Sequence, residues 1–124
     1  MTESPKDNYA GEKTPGKYAI LSLPIESTLY PGTTVRTALQ MYGDAPEWYT
    51  YDGFSLQGTP LFDSAEEAAS FAQQIGMACE IHALPIGTKL VPTFHRGSWD
   101  ARREWQEVRV WDFEASRIRT VGRS

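Results

Sequence analysis

The alternation of apolar and polar side chains along the chain predicts five β-strands. These stretches are rich in aromatic and β-branched residues, which suit a pleated surface with one buried side. Several of them end close to a proline or an Asp-Gly pair, because such residues interrupt the hydrogen-bond ladder between strands. The predicted strands cover residues 17–25, 47–54, 77–85, 89–94 and 105–113.

A helical period is clearest over residues 64–75. Alanines and one isoleucine recur there at helical spacing and form a single apolar stripe. Asp63 or Ser64 stands at the capping position, and two glutamates follow in the first turn. Gly76 comes directly after the last apolar residue, where a left-handed residue commonly ends a helix. The pattern therefore predicts one well-capped helix.

Weaker patterns predict two further helices and two loose ends. One helix follows a cap at Thr33 or Thr34 and terminates at Gly43, and a short helical turn covers residues 99–104. Residues 1–16 are polar and rich in glycine and proline, so we expect a flexible tail. The arginine-rich end, residues 117–123, is also expected to be loose.

Part of the chain occurs twice. Residues 20–31 and 81–92 both read Ile-x-x-Leu-Pro-Ile-x-Ser/Thr-x-Leu-x-Pro, and a weaker echo relates residues 47–54 to 107–113. Similarity at a fixed offset is typical of two copies of one supersecondary unit. Two strands that each end at a proline would produce the same match without a duplication.

These elements predict an α+β fold: one mixed or antiparallel sheet with helices on one face, built from two similar halves. A small β-barrel with added helices is the alternative. At 124 residues the chain suits one domain, which we place at residues 17–124 with the duplication at about 17–58 and 78–118. It has one cysteine and no long apolar run, so we expect a cytoplasmic protein without a membrane partner or a cofactor.

Charge is distributed unevenly along the sequence. Residues 18–88 hold one basic and eight acidic residues, a net charge of 1 − 8 = −7. Residues 89–124 hold eight basic and five acidic residues, which gives 8 − 5 = +3. Such asymmetry favours a body that meets a basic partner and an end that meets an acidic one. A solvated surface with no partner would show the same asymmetry.

An acidic and aromatic cluster is the strongest sign of a contact surface. Tyrosine and tryptophan are common at protein interfaces, and neighbouring carboxylates favour a partner rich in lysine and arginine. We therefore expect a non-catalytic protein-interaction module. It would act as an inhibitor or adaptor and dock a basic partner protein that handles nucleic acid. A homodimer is also compatible with duplicated halves. The predicted protein-binding residues are Tyr42, Asp44, Glu47, Trp48, Tyr49, Tyr51 and Asp52.

A second hypothesis is binding of single-stranded nucleic acid by the C-terminal segment, where cations alternate with aromatic residues. Ion pairs between these arginines and nearby carboxylates, with the tryptophans in the core, would explain the same composition. The residues of this hypothesis are Arg96, Trp99, Arg102, Arg103, Arg109 and Trp111.

A third hypothesis is a small enzyme that uses Glu80, His82 and His95. Glu80 and His82 are two residues apart on a predicted strand, so the carboxylate can orient the imidazole. No serine or cysteine stands in a recognisable nucleophile motif beside them. Cys79 and His82 point to opposite faces of the same strand, which argues against a shared metal ion and favours a buried Cys79.

Overall fold

A computed structural model describes residues 14–28, 30, 32–48, 54–96 and 103–122. Within these ranges the chain forms ten short or medium strands and two helices. In chain order they are β1 (Tyr18–Leu21), β2 (Ile25–Glu26), β3 (Thr34–Val35), β4 (Leu39–Tyr42), β5 (Ala45–Trp48), β6 (Leu61–Phe62), α1 (Ala65–Ile75), β7 (Cys79–Ala83), β8 (Thr88–Arg96), β9 (Arg103–Trp111), α2 (Phe113–Ser116) and β10 (Arg117–Val121).

The centre of the fold is a four-stranded antiparallel sheet in the order β10-β7-β1-β6. Three separate hairpins, β2–β3, β4–β5 and β8–β9, complete the strands. The predicted α+β class is therefore confirmed. The strands form four small sheets instead of one, and within the described ranges they do not close into a barrel.

Both faces of the central sheet are covered. Helix α1 packs against β1, β7 and β10 on the face that carries Ile20 and Ile81, and its buried alanines allow a close approach. Phe113 of α2 lies with Ala19 and Leu21 on the opposite face. The prediction of helices on one face is wrong, because β1 is apolar on both sides and each side needs a cover.

Helix α1 confirms the best sequence prediction. The hydroxyl of Ser64 accepts a hydrogen bond from the backbone N–H of Glu67, so Ser64 is the cap. Gly76 ends the helix with φ of 71°, in the left-handed region that favours glycine. The physical signals at both helix ends are local, which is why the sequence alone located them.

The helix predicted between Thr33 and Gly43 is wrong, because this segment forms β3 and β4. Threonines and Val35 lose side-chain freedom in a helix, and an extended chain carries Arg36 into the interior. Gly43, with φ of 63°, lies in the two-residue turn between β4 and β5. Such a turn favours a residue that adopts positive φ. The prediction of a left-handed residue at Gly43 is therefore confirmed, but it lies in a hairpin turn and not at the end of a helix.

Two other predictions meet the structure only in part. The strand predicted at 47–54 overlaps β5 at its start, and residues 49–53 lie outside the described residues. Of the helical turn predicted at 99–104, residues 99–102 also lie outside them, while Arg103 and Glu104 begin strand β9. The first thirteen residues of the predicted tail are likewise not described.

The arginine-rich end is not loose over residues 117–121, and Arg123 lies outside the described residues. Arg117, Arg119 and Thr120 lie in β10, which pairs with β7, and Val121 is buried at the end of the strand. Backbone pairing with a buried strand gives this segment order that its polar composition does not suggest.

The internal duplication remains a prediction. Its two first strands, β1 and β7, are neighbours, and Ile20 lies opposite Ile81 as the repeat aligns them. The following residues differ, since Leu23 and Ile25 are exposed whereas Leu84 and Ile86 are buried.

Among the described residues, no helix has the length and apolar character needed to span a membrane.

Candidate functional site

The β4–β5 hairpin carries the part of the predicted protein-binding surface that the structure describes. Tyr42 is 62% exposed, and Asp44 and Glu47 are exposed as well. In the hairpin register Gln40 lies opposite Glu47 and Tyr42 opposite Ala45, so Tyr42 and Glu47 share the outward face. Asp44 lies in the turn beside them. The hairpin therefore presents one phenol ring and two carboxylates together.

Trp48 does not belong to this surface. It lies opposite Leu39 on the inward face of the hairpin and packs against the core beside α1. Alternation along β5 explains the difference, because Glu47 points outward and its neighbour must point inward. Tyr49, Tyr51 and Asp52 lie outside the described residues.

The exposed charged side chains of residues 18–88 are acidic wherever the structure describes them. The only basic residue of this segment, Arg36, has a side chain that is 0% exposed, and its partner Glu80 is buried with it. Within the described part of the segment, every exposed ionised side chain is therefore a carboxylate. They are Glu26, Asp44, Glu47, Asp63, Glu66 and Glu67, of which Asp63 pairs with Lys17.

A buried polar network lies on the face of the central sheet that α2 covers. Arg36 Nε donates to Glu80 Oε1 at 3.0 Å, and Arg36 Nη2 donates to Glu80 Oε2 at 3.4 Å. The same guanidinium donates to Thr34 Oγ1 at 2.7 Å and to Glu114 Oε1 at 3.1 Å. Burial of this charge is tolerated because the carboxylate and the hydroxyl replace the water it leaves.

His82 extends the network toward α2. Its Nε2 lies 2.8 Å from Glu80 Oε1, and its Nδ1 lies 2.7 Å from Ser116 Oγ. The predicted contact between Glu80 and His82 is thus confirmed. The hydroxyl of Ser116 also lies 3.3 Å from the carbonyl oxygen of Phe113, and the shorter contact is the one with His82.

The environment determines the charge of each group. Burial lowers the pKa of His82, and the hydrogen bond and charge of Glu80 oppose that shift only in part. Burial alone would raise the pKa of Glu80, but hydrogen bonds from Arg36 and His82 outweigh burial and lower it. A neutral imidazole beside a carboxylate then donates from Nε2 to Glu80 and accepts at Nδ1 from the Ser116 hydroxyl.

This network combines a carboxylate, an imidazole and an alcohol, the chemical types of a nucleophilic triad. Glu80 and His82 are buried, Ser116 is 9% exposed, and Arg36 occupies both carboxylate oxygens. These contacts support a structural role for the network. His82 and Ser116 join β7 to α2, and Glu80 and Arg36 join β7 to the chain before β4. His95, the third residue of the enzyme hypothesis, lies opposite Glu104 in the separate β8–β9 hairpin.

Sequence reasoning missed Arg36, Ser116 and Glu114 as members of this network. Arg36 could have been found, because it is the only basic residue of residues 18–88, which hold eight carboxylates. If it is buried, one of those carboxylates must neutralise its charge. Ser116 could not have been found, because only the position of α2 brings it to His82.

Cys79 is buried on the other face of β7, beside Ile20 and Ile81. Burial, with the charge of Glu80, raises the pKa of its thiol to about 11. Among the described side chains, no group of three or more histidine, cysteine, aspartate or glutamate residues is arranged to hold a metal ion.

The β8–β9 hairpin carries what the structure describes of the Arg/Trp-rich segment. Arg109 Nη1 donates to Thr88 Oγ1 at 3.1 Å, and Trp111 contacts Phe54 edge to face at a centroid distance of 6.1 Å. Trp111 therefore contributes to packing. Arg96 and Arg103 are opposed in the register, and Trp99 and Arg102 lie outside the described residues.

Comparison of the chain with protein-family models, with curated proteins and with solved structures gave no match.

Proposed function

We propose that this protein is a non-catalytic interaction module that docks a basic protein through the outward face of its β4–β5 hairpin. One observation carries the proposal: Tyr42, Asp44 and Glu47 are exposed together on a short hairpin whose other face is anchored in the core. An anchored hairpin presents its outward side chains at little conformational cost on binding.

The surrounding charge supports the same conclusion. Six of the eight carboxylates of residues 18–88 are exposed, and the only cation of that segment is buried against a seventh, Glu80. A surface of one sign attracts a partner of the opposite sign and accelerates association, mostly at low salt. Proteins that handle nucleic acid carry basic surfaces for phosphate, so they are the partner class that we propose, with this chain as inhibitor or adaptor.

The three residues have different parts in the proposed interface. Tyr42 supplies a large aromatic side chain with few rotatable bonds. Tyrosine is one of the residue types that contribute most to binding energy when an interface covers them. Asp44 and Glu47 lie beside it and meet lysine or arginine at the rim, where they affect the association rate more than the lifetime of the complex.

The test begins with isolation of a partner on the immobilised full chain, followed by calorimetry and stopped-flow kinetics with the purified partner. We expect Tyr42→Ala to weaken binding about tenfold or more, as a central interface tyrosine does. The double variant Asp44→Lys/Glu47→Lys should slow association at least tenfold at low salt.

Glu26→Lys/Glu66→Lys is the matched control, because it changes the net charge equally at two exposed sites outside the hairpin, in β2 and α1. We expect it to slow association less than threefold. Equal effects of the two double variants would mean that net charge alone drives binding. The proposal fails in that case, and it also fails if the purified partner binds Tyr42→Ala as tightly as the unaltered chain.

A further inference from the structure

The β2–β3 hairpin leaves a continuous apolar patch at the surface. Leu23, Pro24 and Ile25 follow one another in the sequence, and all three are exposed, Ile25 at 47%. Val35 lies directly opposite Ile25 in the hairpin register, so the two side chains share a face, and Val35 is exposed as well. Single apolar residues at a surface are ordinary, whereas adjoining ones commonly mark a contact site. We call these four residues the Leu-Pro-Ile patch.

The patch occupies one face of the hairpin, and the charged side chains occupy the other. Arg36 follows Val35 and its side chain is buried, so alternation directs Val35 the opposite way, toward solvent. Glu26 lies opposite Thr34 in the register, and Thr34 accepts a hydrogen bond from Arg36. Glu26 and Thr34 therefore belong to the face of Arg36, outside the patch.

Hydrogen bonds on both sides of the patch hold its backbone. The backbone N–H of Ser22 donates to the carbonyl oxygen of Thr37 at 2.8 Å, and the Ser22 hydroxyl accepts from the N–H of Thr37 at 3.0 Å. Beyond the patch, the N–H of Ser27 donates to the carbonyl oxygen of Thr33 at 3.0 Å. A backbone fixed in this way has little conformational freedom to lose when a partner binds.

The sequence Leu-Pro-Ile recurs at residues 84–86, and there other parts of the chain bury it. Leu84 is 5% exposed and Ile86 is 2% exposed, and both belong to one core cluster. The aromatic residues of that cluster and its rim are Phe54, Trp111 and Phe113. Both stretches present the same side chains, whether or not they arose by duplication. Aromatic rings are thus the cover that this chain uses for Leu-Pro-Ile.

Size and charge distinguish between possible occupants of the patch. A stable interface between folded proteins covers about 800 Å² on each partner, and four partly exposed side chains provide only part of that area. A second copy would also bring together two segments, residues 18–88, whose exposed charged side chains are carboxylates wherever the structure describes them. The same carboxylates attract lysine and arginine. A short segment with aromatic and basic residues therefore suits the patch better than a second copy.

We propose that the Leu-Pro-Ile patch binds a short extended segment of a partner protein in which aromatic residues alternate with lysine or arginine. An extended segment sends alternate side chains to opposite sides, so its rings cover Ile25 and Val35 while its basic residues stay in solvent, within the field of the carboxylates. The patch shares no residue with the surface formed by Tyr42, Asp44 and Glu47. Each of the two surfaces therefore binds, or fails to bind, without the other.

The test is a nuclear magnetic resonance titration of the isotope-labelled full chain with three synthetic peptides. They are Lys-Phe-Lys-Phe-Lys, Lys-Ser-Lys-Ser-Lys and Glu-Phe-Glu-Phe-Glu. The first should shift the backbone amide signals of Ile25 and Val35 most. The serine peptide should bind about tenfold more weakly or worse, because it buries no phenyl ring. The glutamate peptide should bind at least about threefold more weakly at low salt, because like charges repel.

Variants of the patch test the same contact from the protein side. Ile25→Ser should raise the dissociation constant of Lys-Phe-Lys-Phe-Lys about fivefold or more, since it removes apolar area from the contact. Val35→Thr keeps the β-branched shape and should raise it about threefold. Ile118→Ser is the matched control, because Ile118 is 53% exposed in β10, outside the patch, and it should change the constant less than twofold. Tyr42→Ala should also leave this constant unchanged.

Absence of shifts at millimolar Lys-Phe-Lys-Phe-Lys would overturn the proposal, as would equal binding of the serine or the glutamate peptide. Equal effects of Ile25→Ser and Ile118→Ser would also overturn it. If a second copy covers the patch, the amide signals of Ile25 and Val35 will change with protein concentration before any peptide is added. That result would likewise overturn the proposal.

Discussion

The buried pair of Arg36 and Glu80 allows a quantitative prediction about stability. Glu80→Gln preserves the size of the side chain and removes its charge, so the guanidinium of Arg36 remains buried without its main counter-charge. Removal of one partner from a buried ion pair typically costs about 3–5 kcal/mol. Arg36 keeps its hydrogen bonds to Thr34 and to the partly exposed Glu114. We therefore expect the lower end, a loss of about 3 kcal/mol in the free energy of unfolding.

Urea denaturation followed by circular dichroism at pH 7.5 measures this loss. For a chain of 124 residues, about 3 kcal/mol corresponds to a fall of roughly 10 °C in the melting temperature. If the slope of the free energy of unfolding against urea concentration is unchanged, the loss belongs to the folded state and not to a more compact unfolded chain.

Glu114→Gln is the matched control. Glu114 contacts the same guanidinium, but its side chain is 49% exposed, so its charge is screened by water. We expect it to cost less than about 1 kcal/mol. The double variant Arg36→Met/Glu80→Leu removes both charges and should be more stable than Glu80→Gln alone. The reasoning is refuted if Glu80→Gln costs no more than Glu114→Gln.

The remaining predictions concern stability, reactivity and association. The contribution of His82 to the free energy of unfolding should be full above pH 6.5 and should fall as the pH drops below that value. The reason is that burial lowers the pKa of folded His82, so the unfolded chain takes up the proton first. Urea titrations at several pH values measure this dependence, and His82→Gln should flatten it. Below about pH 4.5 a second loss should begin, because the folded-state pKa of Glu80 is also lowered and the unfolded carboxyl is protonated first. Ser64→Ala should cost about 1 kcal/mol by loss of the helix cap, against a change within about 0.5 kcal/mol for Ser70→Ala on the exposed side of α1; thermal melts compare the two. Cys79 should react with a thiol reagent in step with unfolding in urea, since it is buried and its pKa is raised, and rapid reaction without urea would contradict the packing. The predicted homodimer would appear as a concentration-dependent mass in sedimentation equilibrium, and a constant monomer mass would exclude it over the range measured.

Local sequence located the elements whose signals act over a few residues. The cap at Ser64 and the left-handed Gly76 lie within one turn of the groups they satisfy, so α1 was predicted with both ends. Alternation likewise located β1, β7, β8 and β9, and it put Glu80 and His82 on one side of β7. These features depend on backbone geometry that each residue shares with its immediate neighbours.

The segment from Thr33 to Gly43 shows why the same reasoning fails elsewhere. Val35 and Leu39 suit a helical stripe, yet the chain is extended and Val35 is exposed. The competing interaction is the burial of Arg36 against Glu80, a partner 44 residues away. The extended chain also pairs β3 with β2 and β4 with β5 and buries Leu39. Together these tertiary contacts outweigh a helical preference of less than about 1 kcal/mol per residue.

By itself the sequence determined the chemistry available in each region: an acidic stretch, a basic stretch after it, and a carboxylate beside an imidazole on one strand. Only the tertiary structure decided where that chemistry faces. It buried the single cation of residues 18–88 and so left the exposed charge of that segment acidic. It brought Ser116 to His82 across 34 residues and turned Trp48 inward while Trp105 stayed at the surface. The reason is that burial and ion pairing depend on residues distant in the sequence, whereas the alternation of side chains depends on the nearest neighbours alone.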